Sequence, residues 1–154
     1  MSNIKNGLRE LYYENGQLNL RAMYENGTEN GIWEAYFENG QLETKGTYKD
    51  GLKDGLWELY YENGQLQERA TYKDDLYFGY CENYYENGQL YYTCNYLEDE
   101  NIHGAFISYY NNGNLWNKLF YNKGEKDGLQ ENYDENGQLR SKELYKNGKL
   151  IQTL

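Results

Sequence analysis

One 24-residue pattern is written six times along the chain. A fixed period of that length restricts the fold to stacked copies of a single supersecondary unit. Its most constant element is Asn-Gly, at 15–16, 39–40, 63–64, 87–88, 112–113 and 136–137, each time after an aromatic stretch and before Gln-Leu or Asn-Leu. Counted from an opening glycine, the repeats start at Gly7, Gly31, Gly55, Gly79, Gly104 and Gly128. One extra residue lies in the Leu-Glu-Asp-Glu-Asn-Ile-His segment at 97–103. The chain is therefore read as a single repeat array over 1–154.

Within a repeat, segments such as Ile32 to Phe37 and Leu42 to Tyr48 are aromatic and alternating, and the Asn-Gly between them is a strong hairpin signal. Lys49 to Gly55 forms a second glycine-rich reversal. Each repeat is thus two strands, and the expected fold is all-β, an elongated single-layer antiparallel meander of about twelve strands. With Asn39-Gly40 as the hairpin tip, Glu34 falls opposite Lys45, Glu10 opposite Arg21, Glu58 opposite Arg69 and Glu131 opposite Lys142. The same register sets Trp33 against Gly46, Trp57 against Ala70 and Arg9 against Ala22, a large side chain facing a small one. A slip of one residue destroys both patterns, so the register is specified.

Alternation sorts the residues onto two faces. One carries Trp33, Ala35, Phe37, Leu42, Gly46 and Tyr48 with their equivalents, including the leucine column Leu18, Leu42, Leu66, Leu90, Leu115 and Leu139. It is the expected packed face. The other carries the Glu–Lys/Arg pairs and a tyrosine column, Tyr12, Tyr36, Tyr60, Tyr84, Tyr109 and Tyr133. Lys5 and Arg9 at one end, and Lys146 and Lys149 at the other, are charges that discourage pairing at an open sheet edge.

Apolar residues make up 38% of the chain, less than the ~45–50% of ordinary globular proteins, so a deep two-layer core is not expected. The 20 tyrosines suit a thin sheet, because each offers a large ring to bury and a hydroxyl that tolerates water. A net charge of -10 repels nucleic acid and anionic membranes and fits a basic partner. No run of about 18 apolar residues is present to span a bilayer as a helix, and the first residues lack the apolar core of a signal peptide. The expectation is a cytoplasmic protein; surface exposure or secretion is the alternative if a leader has been removed.

No catalytic constellation emerges. His103 is the one histidine and stands where other repeats have Asp54 or Asp127, a turn position, so neither a metal site nor a histidine-based triad is assembled. The serines follow no nucleophile motif. Glu10, Glu34, Glu58 and Glu131 have cross-strand cations, and Glu14, Glu38, Glu62, Glu86 and Glu135 flank turns, so paired-carboxylate chemistry has no clear candidate. Neither a cofactor nor a metal is expected. Cys81 and Cys94 fall opposite each other where other repeats pair Trp with Gly or Ala; the ~4.5 Å Cα separation of a non-hydrogen-bonded pair lies within disulfide range, but a reducing cytoplasm favours free thiols.

The informative residues are those that break the repeat. In the fourth and fifth repeats the charged pairs give way to Glu82 opposite Thr93 and Ile107 opposite Lys118. Tyr80, Tyr91 and Trp116 join Tyr84 and Tyr109 on the same face, and Glu98, Asp99 and Glu100 supply adjoining acids. Aromatic anchors rimmed by charge are what protein interfaces use, so these residues are the expected partner-binding site.

The pattern at Gly55 to Gln65, Gly-Leu-Trp-Glu-Leu-Tyr-Tyr-Glu-Asn-Gly-Gln, and the Tyr-Lys-Asp-Gly-Leu-Lys-Asp-Gly that precedes it at Tyr48 to Gly55, resemble the variant class of MORN (membrane occupation and recognition nexus) repeats. The resemblance runs from about Gly7 to Gly148. Bacterial proteins made only of such repeats are similar to the YwqK family, grouped with toxin-antitoxin systems. That resemblance implies a non-catalytic antitoxin or immunity protein that binds and neutralises a toxin. Proteins with this repeat also serve as structural or surface adaptors contacting protein, glycan or membrane, and this is the second reading.

Overall fold

The computed structural model describes residues 5–97 and 100–154. Two compact units divide the chain, 1–76 and 77–154, called here the first and second halves. In the first half, strands β1 (Gly7–Tyr12), β2 (Leu18–Glu25), β3 (Thr28–Tyr36), β4 (Leu42–Lys49), β6 (Gly55–Tyr60) and β7 (Leu66–Lys73) lie side by side in chain order, with the two-residue β5 (Leu52–Lys53) paired to β4. The second half repeats the scheme with β8 (Leu76–Tyr84), β9 (Leu90–Tyr96), β10 (Gly104–Tyr109), β11 (Leu115–Asn122), β13 (Gly128–Tyr133), β14 (Leu139–Lys146) and β15 (Lys149–Thr153), and β12 (Glu125–Lys126) paired to β11. All pairings are antiparallel, and no helix forms among the described residues.

The expected twelve strands are present, joined by β5, β12 and β15. β15 changes the expected edge: Lys146 pairs with Lys149 across β14 and β15 instead of lying on an open strand, and its ammonium bonds Asp127 at 3.0 Å. The register follows the sequence expectation at Glu10–Arg21, Glu34–Lys45, Glu58–Arg69 and Glu131–Lys142.

Turn chemistry is distributed differently from the expectation. Asn39-Gly40 does not form a two-residue tip. The Gly40 N–H bonds the Phe37 carbonyl at 2.9 Å and the Phe37 N–H bonds the Gln41 carbonyl at 2.8 Å, which closes a three-residue loop over Glu38-Asn39-Gly40. Gly40 alone in that loop has positive φ (84°), the signature of a type I turn followed by a glycine bulge. The strand register accordingly shifts between Ala35 and Tyr36. Two-residue turns with both φ positive, the type I′ geometry, occur at the other connections: Asn26-Gly27 (52° and 86°), Asp50-Gly51 (52° and 84°), Lys123-Gly124 (50° and 80°) and Asn147-Gly148 (48° and 73°). The side chain of Asn39 braces its three-residue loop. Its Oδ1 accepts the Gln41 N–H at 2.9 Å while its Nδ2 donates to the Glu62 carbonyl of the next repeat at 3.1 Å, so this tip is fastened to its neighbour.

Burial concentrates on the face expected to pack. Ala22, Trp57, Ala70 and Tyr72 are buried in the first half, and Cys81, Cys94, Ser108 and Gln130 in the second. Trp57 stands over Gly46, where an added Cβ would collide with the indole, and packs against Trp33 in a tilted and Tyr48 in an edge-to-face arrangement at centroid distances of 5.7 and 5.0 Å. Lys53 lies 4.4 Å above its ring, a cation–π contact. In the second half Gln130 takes the position of Trp57. Trp57 Nε1 donates to the Thr47 carbonyl at 3.2 Å; Gln130 Nε2 donates to the equivalent Phe120 carbonyl at 2.9 Å. The polar bond survives the loss of the ring.

Cys81 and Cys94 face each other as the register requires, and they are joined in a disulfide, which corrects the expectation of free thiols. Their Cα atoms are 5.4 Å apart, nearer the ~5.5 Å of a hydrogen-bonded cross-strand pair than the expected ~4.5 Å. Direct opposition on adjacent strands is what brings the sulfurs together.

Candidate partner-binding surface

On the charged face of the first half, neighbouring strands align Glu10, Arg21, Glu34, Lys45, Glu58 and Arg69 in one row. Arg21 bridges Glu10 at 3.0 Å and Glu34 at 3.3 Å; Glu58 receives Lys45 at 2.6 Å and Arg69 at 2.8 Å. The tyrosine column belongs to the same network. Tyr12, Tyr36 and Tyr60 each donate a hydroxyl hydrogen bond to the glutamate two residues earlier, at 2.7, 2.9 and 2.9 Å. Burial pushes the Glu58 carboxyl up, but hydrogen bonds from Lys45, Arg69 and Tyr60 outweigh it and bring its pKa down to about 2. This row is a satisfied scaffold, with few polar groups left to meet a ligand.

The corresponding row of the second half runs Glu82, Thr93, Ile107, Lys118, Glu131 and Lys142. Tyr84 still donates to Glu82 at 2.7 Å, and Lys142 still bonds Glu131 at 2.9 Å. Between them Ile107 stands where the other repeats have glutamate. The Tyr109 hydroxyl therefore has no carboxylate two residues before it, and Lys118 loses the acceptor on one side; its ammonium lies 5.7 Å from the Phe120 ring, and on its other side Glu131 stands opposite it and feels its charge. One apolar substitution takes an acceptor away from two neighbouring donors.

Around that gap stand the aromatic residues expected from the sequence. Tyr80 is 54% exposed and Trp116 39%, whereas Tyr84, Tyr91, Ile107 and Tyr109 are half-buried. Tyr85 and Tyr110, at the hairpin tips, were not anticipated as part of the site. The Tyr85 ring packs on Tyr91 at 4.8 Å and the Tyr110 ring on Trp116 at 5.5 Å, and their hydroxyls donate to the Tyr109 and Tyr133 carbonyls at 2.9 and 2.8 Å. Each anchor is thus held by a side chain that is itself tied to the next repeat. The available signal was the tyrosine preceding Glu-Asn-Gly or Asn-Asn-Gly at 13, 61, 85 and 110. Of the three acids, Glu98 and Asp99 lie outside the described residues. Glu100 is exposed, adopts φ 59°, and accepts the Tyr77 N–H at 3.4 Å, so it belongs to the turn before β10.

His103 is exposed, with its N–H on the Asn95 carbonyl at 2.8 Å, a turn role. No cluster of three or more His, Cys, Asp or Glu side chains is arranged to hold a metal among the described residues. A family model described as MORN repeat variant matches residues 5–26, 29–50, 53–74, 79–98, 102–123 and 126–147. Among curated proteins, none matches the chain.

Proposed function

Because the chain belongs to the MORN repeat variant family over all six repeats, we propose that it is a protein-binding array whose recognition surface is the interrupted row and aromatic patch of the fourth and fifth repeats. The observation that carries this reading is Ile107: it removes the carboxylate that in the first three repeats receives both a tyrosine and a cation, and places an apolar side chain opposite Lys118 and two residues before Tyr109. A partner carboxylate or carbonyl seated there satisfies both donors while Tyr80, Tyr91 and Trp116 supply the apolar contact that dominates interface energy. The chain's net charge of -10 still steers a partner that is basic as a whole, and the local acceptor sets the register of docking.

The biological form of this activity that we propose is neutralisation of a toxin, in keeping with the resemblance to YwqK-like antitoxins. Adaptor function is the second reading, favoured by a regular row of exposed Leu8, Ile32 and Leu56 on the same face of the first half. Co-expression with the product of the neighbouring gene decides between them, scored by host survival and co-purification. Trp116→Ala and Tyr91→Ala are expected to weaken the complex by ~1–3 kcal/mol each, and Ile107→Glu to weaken it by rebuilding the internal row. Survival of the host without this protein removes the antitoxin role; a complex indifferent to all three substitutions removes the site.

A further inference from the structure

Five hairpin tips share the identical sequence Glu-Asn-Gly-Gln-Leu, at 14–18, 38–42, 62–66, 86–90 and 135–139. An asparagine before glycine is the most exposed setting for attack on its side-chain amide, because glycine offers no Cβ to shield its backbone nitrogen. With local sequence constant, any difference in reactivity among these tips comes from the fold. At Asn15, Asn39 and Asn87 the side chain is held twice: Oδ1 accepts the N–H two residues on at 2.9–3.0 Å, and Nδ2 donates to the next repeat, to the Glu38, Glu62 or Asn111 residue. Asn63 Oδ1 makes the same bond to the Gln65 N–H at 2.9 Å.

Asn136 has neither restraint. Asp134 occupies the position of Tyr13, Phe37, Tyr61 and Tyr85, and its Oδ1 takes both the Asn136 N–H at 3.0 Å and the Gln138 N–H at 2.9 Å. An Arg140 guanidinium 2.6 Å from the other Asp134 oxygen holds that carboxylate in place. The Asn136 side chain is thereby displaced from its own turn. Phe37 shows that loss of the tyrosine hydroxyl is not the cause, since Asn39 keeps both bonds behind it. The competing acceptor on Asp134 removes the Oδ1 bond, and among the described residues no further tip follows the sixth to receive Nδ2.

We propose that Asn136-Gly137 is a site of spontaneous covalent modification, deamidating ahead of the other Glu-Asn-Gly tips. The Gly137 nitrogen attacks Asn136 Cγ; the N–Cγ bond forms, the Cγ–Nδ2 bond breaks, and the amide nitrogen leaves as ammonia with the Gly137 proton. Water then opens the succinimide at either carbonyl, giving aspartate or isoaspartate, with no change in oxidation state. The attack requires the Asn136 amide to rotate toward the backbone, which the doubly bonded side chains resist.

The test is peptide mapping by mass spectrometry of the folded protein incubated at mildly alkaline pH, following the one-dalton gain at each tip. Asn136 is expected to convert about tenfold faster than Asn39, the ratio given by about 1.4 kcal/mol in barrier height. The same five sequences in the denatured chain are expected to convert at matching rates. Asp134→Tyr is expected to slow Asn136 toward Asn39 by returning the Gln138 N–H to Asn136. Equal rates at Asn136 and Asn39 in the folded protein, or an Asn136 rate unmoved in a folded Asp134→Tyr variant, overturns the proposal.

Discussion

The two halves use one strand register to reach different ends. In the first, every row position is matched: Trp57 fills the space above Gly46, and glutamates alternate with cations from Glu10 to Arg69. In the second, the same positions hold a disulfide, a buried glutamine and an isoleucine in the charged row. Repetition in the first half produces a satisfied scaffold, and departure from it in the second leaves donors short of an acceptor beside exposed rings. Because each repeat touches only its neighbours, such a departure is accommodated locally without disturbing the rest of the array.

The sharpest way to break this contrast is at the shared column. Trp57→Ala is expected to cost ~3–5 kcal/mol, through lost burial and the cavity over Gly46. Gln130→Ala at the equivalent position should cost ~1–3 kcal/mol, chiefly the unpaired Phe120 and Gly128 groups. Urea melts of the two variants measure both, and equal losses would mean that ring area does not distinguish the halves. Reduction of Cys81–Cys94 is the next test. Closing a loop between cysteines separated by 13 residues is worth about 3 kcal/mol, so reductant should lower the stability of the second half and leave the transition reported by Trp33 and Trp57 fluorescence in place.

Acid tests the first half through Glu58. The Glu58 pKa, lowered from 4.5 to about 2, means that the unfolded chain takes up a proton first as pH falls. The stabilisation is therefore fully present above about pH 5, declines below it, and is lost as pH passes through about 2. It amounts to roughly 2–3 kcal/mol, and Glu58→Gln should flatten the acid limb of first-half stability between those values. The smallest effect is expected at Trp116. Trp116→Ala should change stability by about 1 kcal/mol or less, since the ring is 39% exposed and packs on Tyr110. A loss as large as that of Trp57→Ala would reassign Trp116 to the scaffold.

The period, the strand register and the two faces were written in the sequence, because alternation and cross-strand pairing are local rules: Glu58 opposite Arg69 and Trp57 opposite Ala70 follow from counting back from the tip. Of the candidate site residues, Tyr80, Tyr91, Ile107 and Trp116 were legible as breaks in the pattern and Tyr84 and Tyr109 as members of its tyrosine column, and alternation put them on one face. What the sequence did not contain was the choice among partners for the same atoms. Asn39-Gly40 and Asn26-Gly27 both offer a type I′ turn, yet the chain closes a three-residue loop at the first and a two-residue turn at the second. Tyr85 and Tyr110 became supports for Tyr91 and Trp116 because their hydroxyls reach carbonyls 24 and 23 residues away. Asn136 differs from Asn39 although five residues around each are identical, since the acceptor that displaces it sits on Asp134 just outside them. Periodicity fixes which strands lie side by side, whereas competition among nearby donors and acceptors, settled only once the chain is folded, decides which side chain holds which.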